Sequence, residues 1–185
     1  LFPYARAVQD TSSPVCVINP AMIPYCSGFT ASAAGGRPFY GYGLDSTQAA
    51  LQYSSPGMGI SARWNSFGDD AYRENSLCAG AALRPAAWFG AGLSADLYRI
   101  SIDLDDTGYS DTLYDFGAGF MVVPARWIEA GFMARNIHAL VKEQDALYGE
   151  WSCGLLTRPC RGLSFSWNLT GNPAGSINTF IVAVN

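Results

Sequence analysis

The chain is poor in charged residues and in histidine. Of its 185 residues only 14% are Asp, Glu, Lys or Arg, and His138 is the one histidine. Soluble domains carry about 25% charged residues, so this sequence has fewer charged residues than the surface of a soluble protein usually needs. The net charge of -4 leaves no basic footprint, which excludes nucleic acid as a partner. These shortages favour a surface that faces lipid or other protein.

The sequence also lacks a long hydrophobic run and the usual catalytic motifs. No stretch approaches the roughly 18 apolar residues that a membrane-spanning helix needs. There is no nucleophile elbow, no phosphate-binding glycine loop and no Cys or His spacing typical of a zinc site. We therefore predict that the protein is not an enzyme and uses no cofactor.

A hairpin module recurs along the chain, in which a proline stands between two apolar runs. Proline fixes its own φ and cannot donate to a strand ladder, so it predicts a chain reversal. The prolines of the four modules are Pro56, Pro85, Pro124 and Pro159. Longer polar stretches lie at 67–74, 103–111, 138–148 and 170–175. Short turns at one end of a sheet and long loops at the other are typical of a transmembrane β-barrel.

Within the modules, apolar or aromatic residues alternate with small, polar or charged ones. A strand places successive side chains on opposite faces, so the alternation predicts two different faces. The apolar set includes Trp64, Leu93, Phe116, Phe120, Ile128, Phe132, Phe165 and Trp167. Such a face points inward in a soluble barrel and outward in a membrane barrel. The glycine, alanine and scattered charges of the second face favour a narrow polar lumen, and hence the membrane barrel.

The fold class predicted from these patterns is all-β: an antiparallel up-and-down β-barrel of about ten strands, with short proline turns at one end and long polar loops at the other. The predicted strands are one irregular strand within 27–43, then 46–55, 57–66, 75–84, 88–102, 112–123, 126–137, 148–157, 161–169 and 176–184. Residues 1–26 are too rich in proline for a wall strand, so they are predicted to form a hatch or arm that precedes a barrel of residues 27–185.

Charges of both signs fall on the predicted inward face. They are Arg63, Asp96, Asp115, Glu129, Arg135 and Glu150. About ten strands enclose little free space, and buried charges must be paired. Two interpretations stay open: a lumen closed by ion pairs that shape the wall, and a narrow polar conduit or ligand pocket gated by the N-terminal segment.

One acidic loop invites a metal hypothesis. Asp103, Asp105 and Asp111, with Gly108 between them, follow part of the spacing with which a loop wraps Ca²⁺. The twelfth position holds Tyr114 instead of a bidentate glutamate, so any binding is predicted to be weak. The alternative is a solvated acidic hairpin loop.

Three stretches resemble a known family. They are Val17-Ile18-Asn19-Pro20-Ala21, the polar segment 64–74, and the AxLRP hairpin that begins at Ala81. Together they resemble the FadL-like outer-membrane barrels, in particular the branch with the PorV and PorQ proteins of the type IX secretion system. In that superfamily an Asn-Pro-Ala segment lies in an N-terminal hatch. The resemblance therefore implies that Asn19, Pro20 and Ala21 belong to a hatch.

The resemblance implies an outer-membrane protein that binds or passes hydrophobic small molecules, or that serves as a secretion accessory. Its partners would be membrane lipid and secretion-system proteins. The chain begins at Leu1, and although Ala5-Arg6-Ala7 resembles a cleavage site, no leader-like apolar core precedes it, so we expect that a signal peptide has already been removed. The alternative function is a structural or assembly subunit of the cell surface, whose apolar outer wall packs against other copies of itself. Both place the protein in the outer membrane or at the cell surface.

Overall fold

The computed structural model describes residues 19–26, 28–39, 43–104, 107–137, 149–160, 163–172 and 175–184. This part of the chain forms a short 3₁₀ helix and ten strands. The helix is Pro20–Tyr25, and the strands are β1 (Gly28–Phe39), β2 (Leu44–Ser55), β3 (Met58–Gly68), β4 (Tyr72–Ala86), β5 (Phe89–Leu104), β6 (Thr107–Ala125), β7 (Ile128–Arg135), β8 (Glu150–Cys160), β9 (Leu163–Asn172) and β10 (Gly175–Val184).

The strands form one antiparallel sheet in sequence order, from β1 to β10. Each strand pairs with its neighbours along the chain, so the predicted all-β, up-and-down arrangement of ten strands is confirmed. The predicted irregular first strand is a single strand, whose register with β2 shifts between Gly36 and Phe39. Among the described residues, β1 pairs only with β2 and β10 only with β9.

The prolines of the hairpin modules act differently from the prediction. Pro56 lies in a turn, but Pro85, Pro124 and Pro159 lie near the ends of β4, β6 and β8, where the register shifts. The residue before each of these prolines donates its N–H to a carbonyl of the preceding hairpin: Arg84 to Gly57 (2.6 Å), Val123 to Trp88 (2.7 Å) and Arg158 to Trp127 (2.7 Å). Each proline therefore ends a ladder, because it has no N–H with which to continue it.

The predicted contrast between short turns and long loops is smaller than expected. Strands extend into the polar stretches, so that β3 and β4 are joined by 69–71, β5 and β6 by 105–106, and β9 and β10 by 173–174. A long connection remains between β7 and β8. We call the end of the sheet with the turns at Pro56, Ala87 and Arg126 the short-turn end.

The sheet has an exposed face and a buried face, as the alternation predicts. Residues directly opposite each other on paired strands lie on the same face. The exposed face carries large apolar side chains on nearly every strand, namely Phe29, Leu51, Tyr53, Met58, Ile60, Trp64, Leu77, Leu83, Leu93, Leu97, Tyr114, Phe116, Phe120, Leu155, Trp167 and Phe180. On the buried face, Asp96 and Asp115 are only 4% and 2% exposed, whereas Leu93 and Phe116 beside them are 67% and 54% exposed.

The cysteines of the described residues form no disulfide with one another. Cys78 is buried, Cys26 and Cys153 are partly buried, and Cys160 is exposed. The fifth cysteine, Cys16, lies outside the described residues.

Candidate functional site

A row of polar side chains crosses the buried face. Arg63, Cys78, Asp96 and Asp115 stand directly opposite one another on β3, β4, β5 and β6. We call these four residues the charged row. The Asp115 carboxylate accepts a hydrogen bond from the N–H of Phe116 at 2.6 Å. An arginine and two carboxylates therefore share one level of the sheet, where water has little access.

Two further predicted lumen residues stand on the next inward rung of the sheet. In the strand register, Arg135 on β7 stands directly opposite Glu150 on β8. The Cγ atom of Arg135 lies 3.8 Å from the position that a Cβ on Gly117 would occupy. Gly117 is two residues from Asp115 on β6. Cys78 also interacts electrostatically with Arg63 and Arg135, which lie on opposite sides of it in the sheet.

Glu129 lies apart from the other five. It is an ion-pair partner of Arg158, on β8 near the short-turn end. Of the six predicted lumen residues, three thus stand on the rung of the charged row, two stand on the next inward rung, and the sixth ties β7 to β8. All six lie on the buried face, as the register of their strands requires.

The 3₁₀ helix lies against the buried face near the short-turn end. Asn19 precedes it, with its side-chain oxygen accepting a hydrogen bond from the N–H of Ala21 at 3.0 Å. The amide nitrogen of Asn19 donates to the carbonyls of Phe120 and Phe132, at 3.4 and 3.3 Å. Pro20 occupies the start of the helix, where no N–H is needed. Asn19 therefore caps the helix and joins it to β6 and β7.

Glycines of the wall make room for this helix. We call Gly59, Gly80, Gly90, Gly92 and Gly119 the glycine cradle. A Cβ at Gly92 would lie 2.6 Å from the carbonyl carbon of Pro20, and one at Gly90 would lie 2.9 Å from the Tyr25 ring. Added atoms at Gly59 and Gly119 would collide with Ile23 and Asn19. The cradle is not among the sites predicted from the sequence, although glycines inside strands often mark the close approach of another backbone.

The far end of the helix is held by two further contacts. The Ser54 hydroxyl donates to the carbonyl of Ile23 at 2.6 Å. The Arg84 guanidinium stacks on the Tyr25 ring at 4.2 Å and also donates to the carbonyl of Ala87. Burial raises the pKa of the Tyr25 phenol, and the nearby Arg84 charge opposes that shift. The helix is thus tied to β2, β4 and the turn that follows β4.

The calcium hypothesis is not supported by the register of β5 and β6. Asp103 pairs with Gly108 and Asp111 pairs with Ile100, so the two carboxylates are three rungs apart, about 10 Å, and on opposite faces. A loop that wraps a cation would bring them together instead. Asp105 lies outside the described residues, which contain no cluster of three or more His, Cys, Asp or Glu able to hold a metal.

Replacing Asn19 with alanine should loosen the helix. The change removes the cap and two donors, so we expect a loss of about 1–2 kcal/mol in stability and faster proteolysis within 19–26. Asn19→Asp keeps the cap but sets a carboxylate against two carbonyls, and it should also destabilise. Asn178→Ala, at an exposed position on β10, is the matched control. Equal unfolding midpoints for Asn19→Ala and Asn178→Ala would show that the Asn19 side chain does not stabilise the helix.

Comparisons with known proteins do not assign the chain to a family. No family model, curated protein or solved structure matches the chain. Within the described ranges, no helix is long and apolar enough to cross a membrane.

Proposed function

We propose that the protein is a membrane-spanning β-barrel of the outer membrane or cell surface, with its N-terminal segment plugging the short-turn end. The observation that carries the proposal is the polarity of the two faces. Asp96 and Asp115 are buried while Leu93 and Phe116 are exposed, the reverse of a protein that folds in water. An exposed apolar surface of this extent requires a cover of lipid or protein.

The height of the apolar wall supports lipid as the cover. Trp88 is exposed in the turn just before β5. Leu97 lies farther along β5, and Tyr114 on β6 stands opposite it. From Trp88 to Leu97 the strand rises about 31 Å, or about 23 Å along the membrane normal at a tilt of about 40°. That distance is close to the roughly 25 Å apolar band of outer-membrane barrels, which aromatic residues flank.

Closure of the sheet into a barrel is part of the proposal. The 3₁₀ helix packs mainly against β2 to β6, yet Ser152 on β8 and Asn168 on β9 are also buried. A sheet that curves around its own polar face accounts for this burial. In such a barrel β1 and β10, which run antiparallel to each other, would pair along their remaining edges.

Two levels of the interior would then oppose free passage. The helix in its glycine cradle fills the short-turn end, and the charged row with Arg135 and Glu150 lies next to it. By resemblance to FadL-like barrels, the protein would bind or pass hydrophobic small molecules or serve as a secretion accessory. In either role the resting state would be closed, because buried charged side chains and a seated helix would occupy the lumen.

Lipid quenching of tryptophan emission tests the proposal. The full chain is folded into phosphatidylcholine vesicles whose acyl chains carry bromine, with unbrominated vesicles as the reference. Trp167 lies on the exposed face, so a variant that keeps Trp167 as its sole tryptophan should lose most of its emission in brominated lipid. Emission that does not change, with the protein recovered as an insoluble assembly, would favour the structural subunit instead.

A further inference from the structure

The two edge strands of the sheet are linked by one continuous rung of opposite residues. The rung consists of Phe29, Tyr53, Ile60, Ala81, Leu93, Ala118, Ala134, Trp151, Gly171 and Ser176. Phe29 is the second residue of β1, at the short-turn end, whereas Ser176 is the second residue of β10, at the opposite end of the sheet. The rung therefore climbs relative to the strand ends as it crosses from β1 to β10.

This climb limits the ways in which the sheet can close. In a barrel the rung returns to β1 at a later residue, and the number of residues between its start and its return sets the tilt of the strands. The number is even, because an odd shift would place outward side chains beside inward ones. At the usual strand spacings a shift of eight residues gives a tilt of about 29°, ten gives about 35° and twelve about 40°. Only ten and twelve reach the roughly 35–45° of typical barrels.

Phe180 and Gly35 select between these two shifts. Phe180 is 65% exposed on the outward face of β10. Gly35 also faces outward, because it lies six residues from Phe29 on β1, and a Cβ there would have no contact closer than 3.6 Å. A shift of ten sets Phe180 directly opposite Gly35, where the ring covers backbone that the glycine leaves bare; aromatic residues strengthen glycine-containing edges in this way. A shift of twelve sets Phe180 opposite Arg37, where the register of β1 is broken.

We propose that the partner of the β1 edge is β10 of the same chain, paired so that Phe180 stands opposite Gly35. Residues 31–36 of β1 then pair with residues 184–179 of β10. The inference rests on the proposed function, because an edge with unpaired N–H and C=O groups finds no water in lipid.

This register also sets the width of the lumen. Ten strands at a tilt of about 35° enclose a diameter of about 19 Å between opposite backbones. A helix with its side chains is about 10 Å across, so the wall can receive one only where the facing side chains are small. The glycine cradle supplies such positions. A path left by removal of the helix would accordingly admit only small solutes.

Backbone NMR of the full chain tests the register without altering the protein. The deuterated, isotope-labelled chain is folded into dodecylphosphocholine micelles, and cross-strand contacts between backbone protons are measured. We expect contacts that place Phe180 opposite Gly35. Contacts that place Phe180 opposite Ala33 or Arg37 would overturn the register, as would the absence of contacts between β1 and β10. In a mixture of labelled and unlabelled chains, contacts between β1 of one copy and β10 of another would overturn closure within one chain.

Phe180→Ala should speed amide hydrogen exchange along β1 several-fold, because the ring no longer covers Gly35. Phe116→Ala, at an exposed position of β6, is the matched control and should leave exchange in β1 unchanged. Equal exchange in the two variants would overturn the pairing of Phe180 with Gly35. Failure of the membrane proposal gives a different result, because Trp167 emission would then be unaffected by brominated lipid whatever the register of β1 and β10.

Discussion

Replacing Gly92 with leucine should unseat the 3₁₀ helix and raise the permeability of the barrel to small solutes. A Cβ at this position already lies 2.6 Å from Pro20 and 2.7 Å from the N–H nitrogen of Ala21, so a branched side chain cannot share the space with the helix. Because Ala21, Met22 and Ile23 are fully buried, the helix has no room to shift sideways. We therefore expect severalfold faster efflux of a small dye from vesicles that contain Gly92→Leu.

Deletion of residues 1–26 should raise efflux in the same way. Ala95→Leu is the control for Gly92→Leu, since it places a leucine on the opposite face of the same strand. Unchanged efflux in both the deletion and Gly92→Leu would mean that the helix does not seal a path. If the deletion also abolished oligomers, residues 1–26 would be an assembly arm instead.

The two faces of the wall were predictable from the sequence, because alternation is a property of each strand by itself. The separation of Leu93 from Asp96 follows from counting along β5. The charged row was harder to predict from the sequence, because its members come from four strands and meet only through the register between them. The sequence indicated that these residues point inward, but not that Cys78 would stand between Arg63 and Asp96.

Errors arose where one residue type has several structural uses. Proline was assigned to turns, yet Pro85, Pro124 and Pro159 end ladders a few residues before the chain reverses. The polar stretch 103–111 was assigned to a loop, although both of its ends belong to strands. The glycine cradle could not be derived from sequence, because Gly92 and Gly119 have meaning only once the helix that lies against them is known.

Replacing Leu93 with arginine should destabilise the protein in lipid by about 2–4 kcal/mol, the cost of an arginine at the membrane midplane of a barrel. Leu93 is 67% exposed and lies about midway between Trp88 and Leu97, the two levels that bound the apolar band. A charge there loses its hydration without gaining a partner. The change should appear as a lower denaturant midpoint for protein folded into phosphatidylcholine vesicles.

Ser110→Arg provides the matched control for this prediction. Ser110 is exposed on β6 and lies beyond Tyr114, outside the apolar band, so an arginine there should remain hydrated and change stability little. The sign of the effect separates a face that is covered by lipid from a face that meets water. If that face met water, Leu93→Arg would be neutral or favourable and would match Ser110→Arg, because a charge would replace an exposed apolar side chain. A loss confined to Leu93→Arg requires that the wall be covered at this level, since only there does the arginine leave water. For single copies folded into vesicles, that cover is lipid.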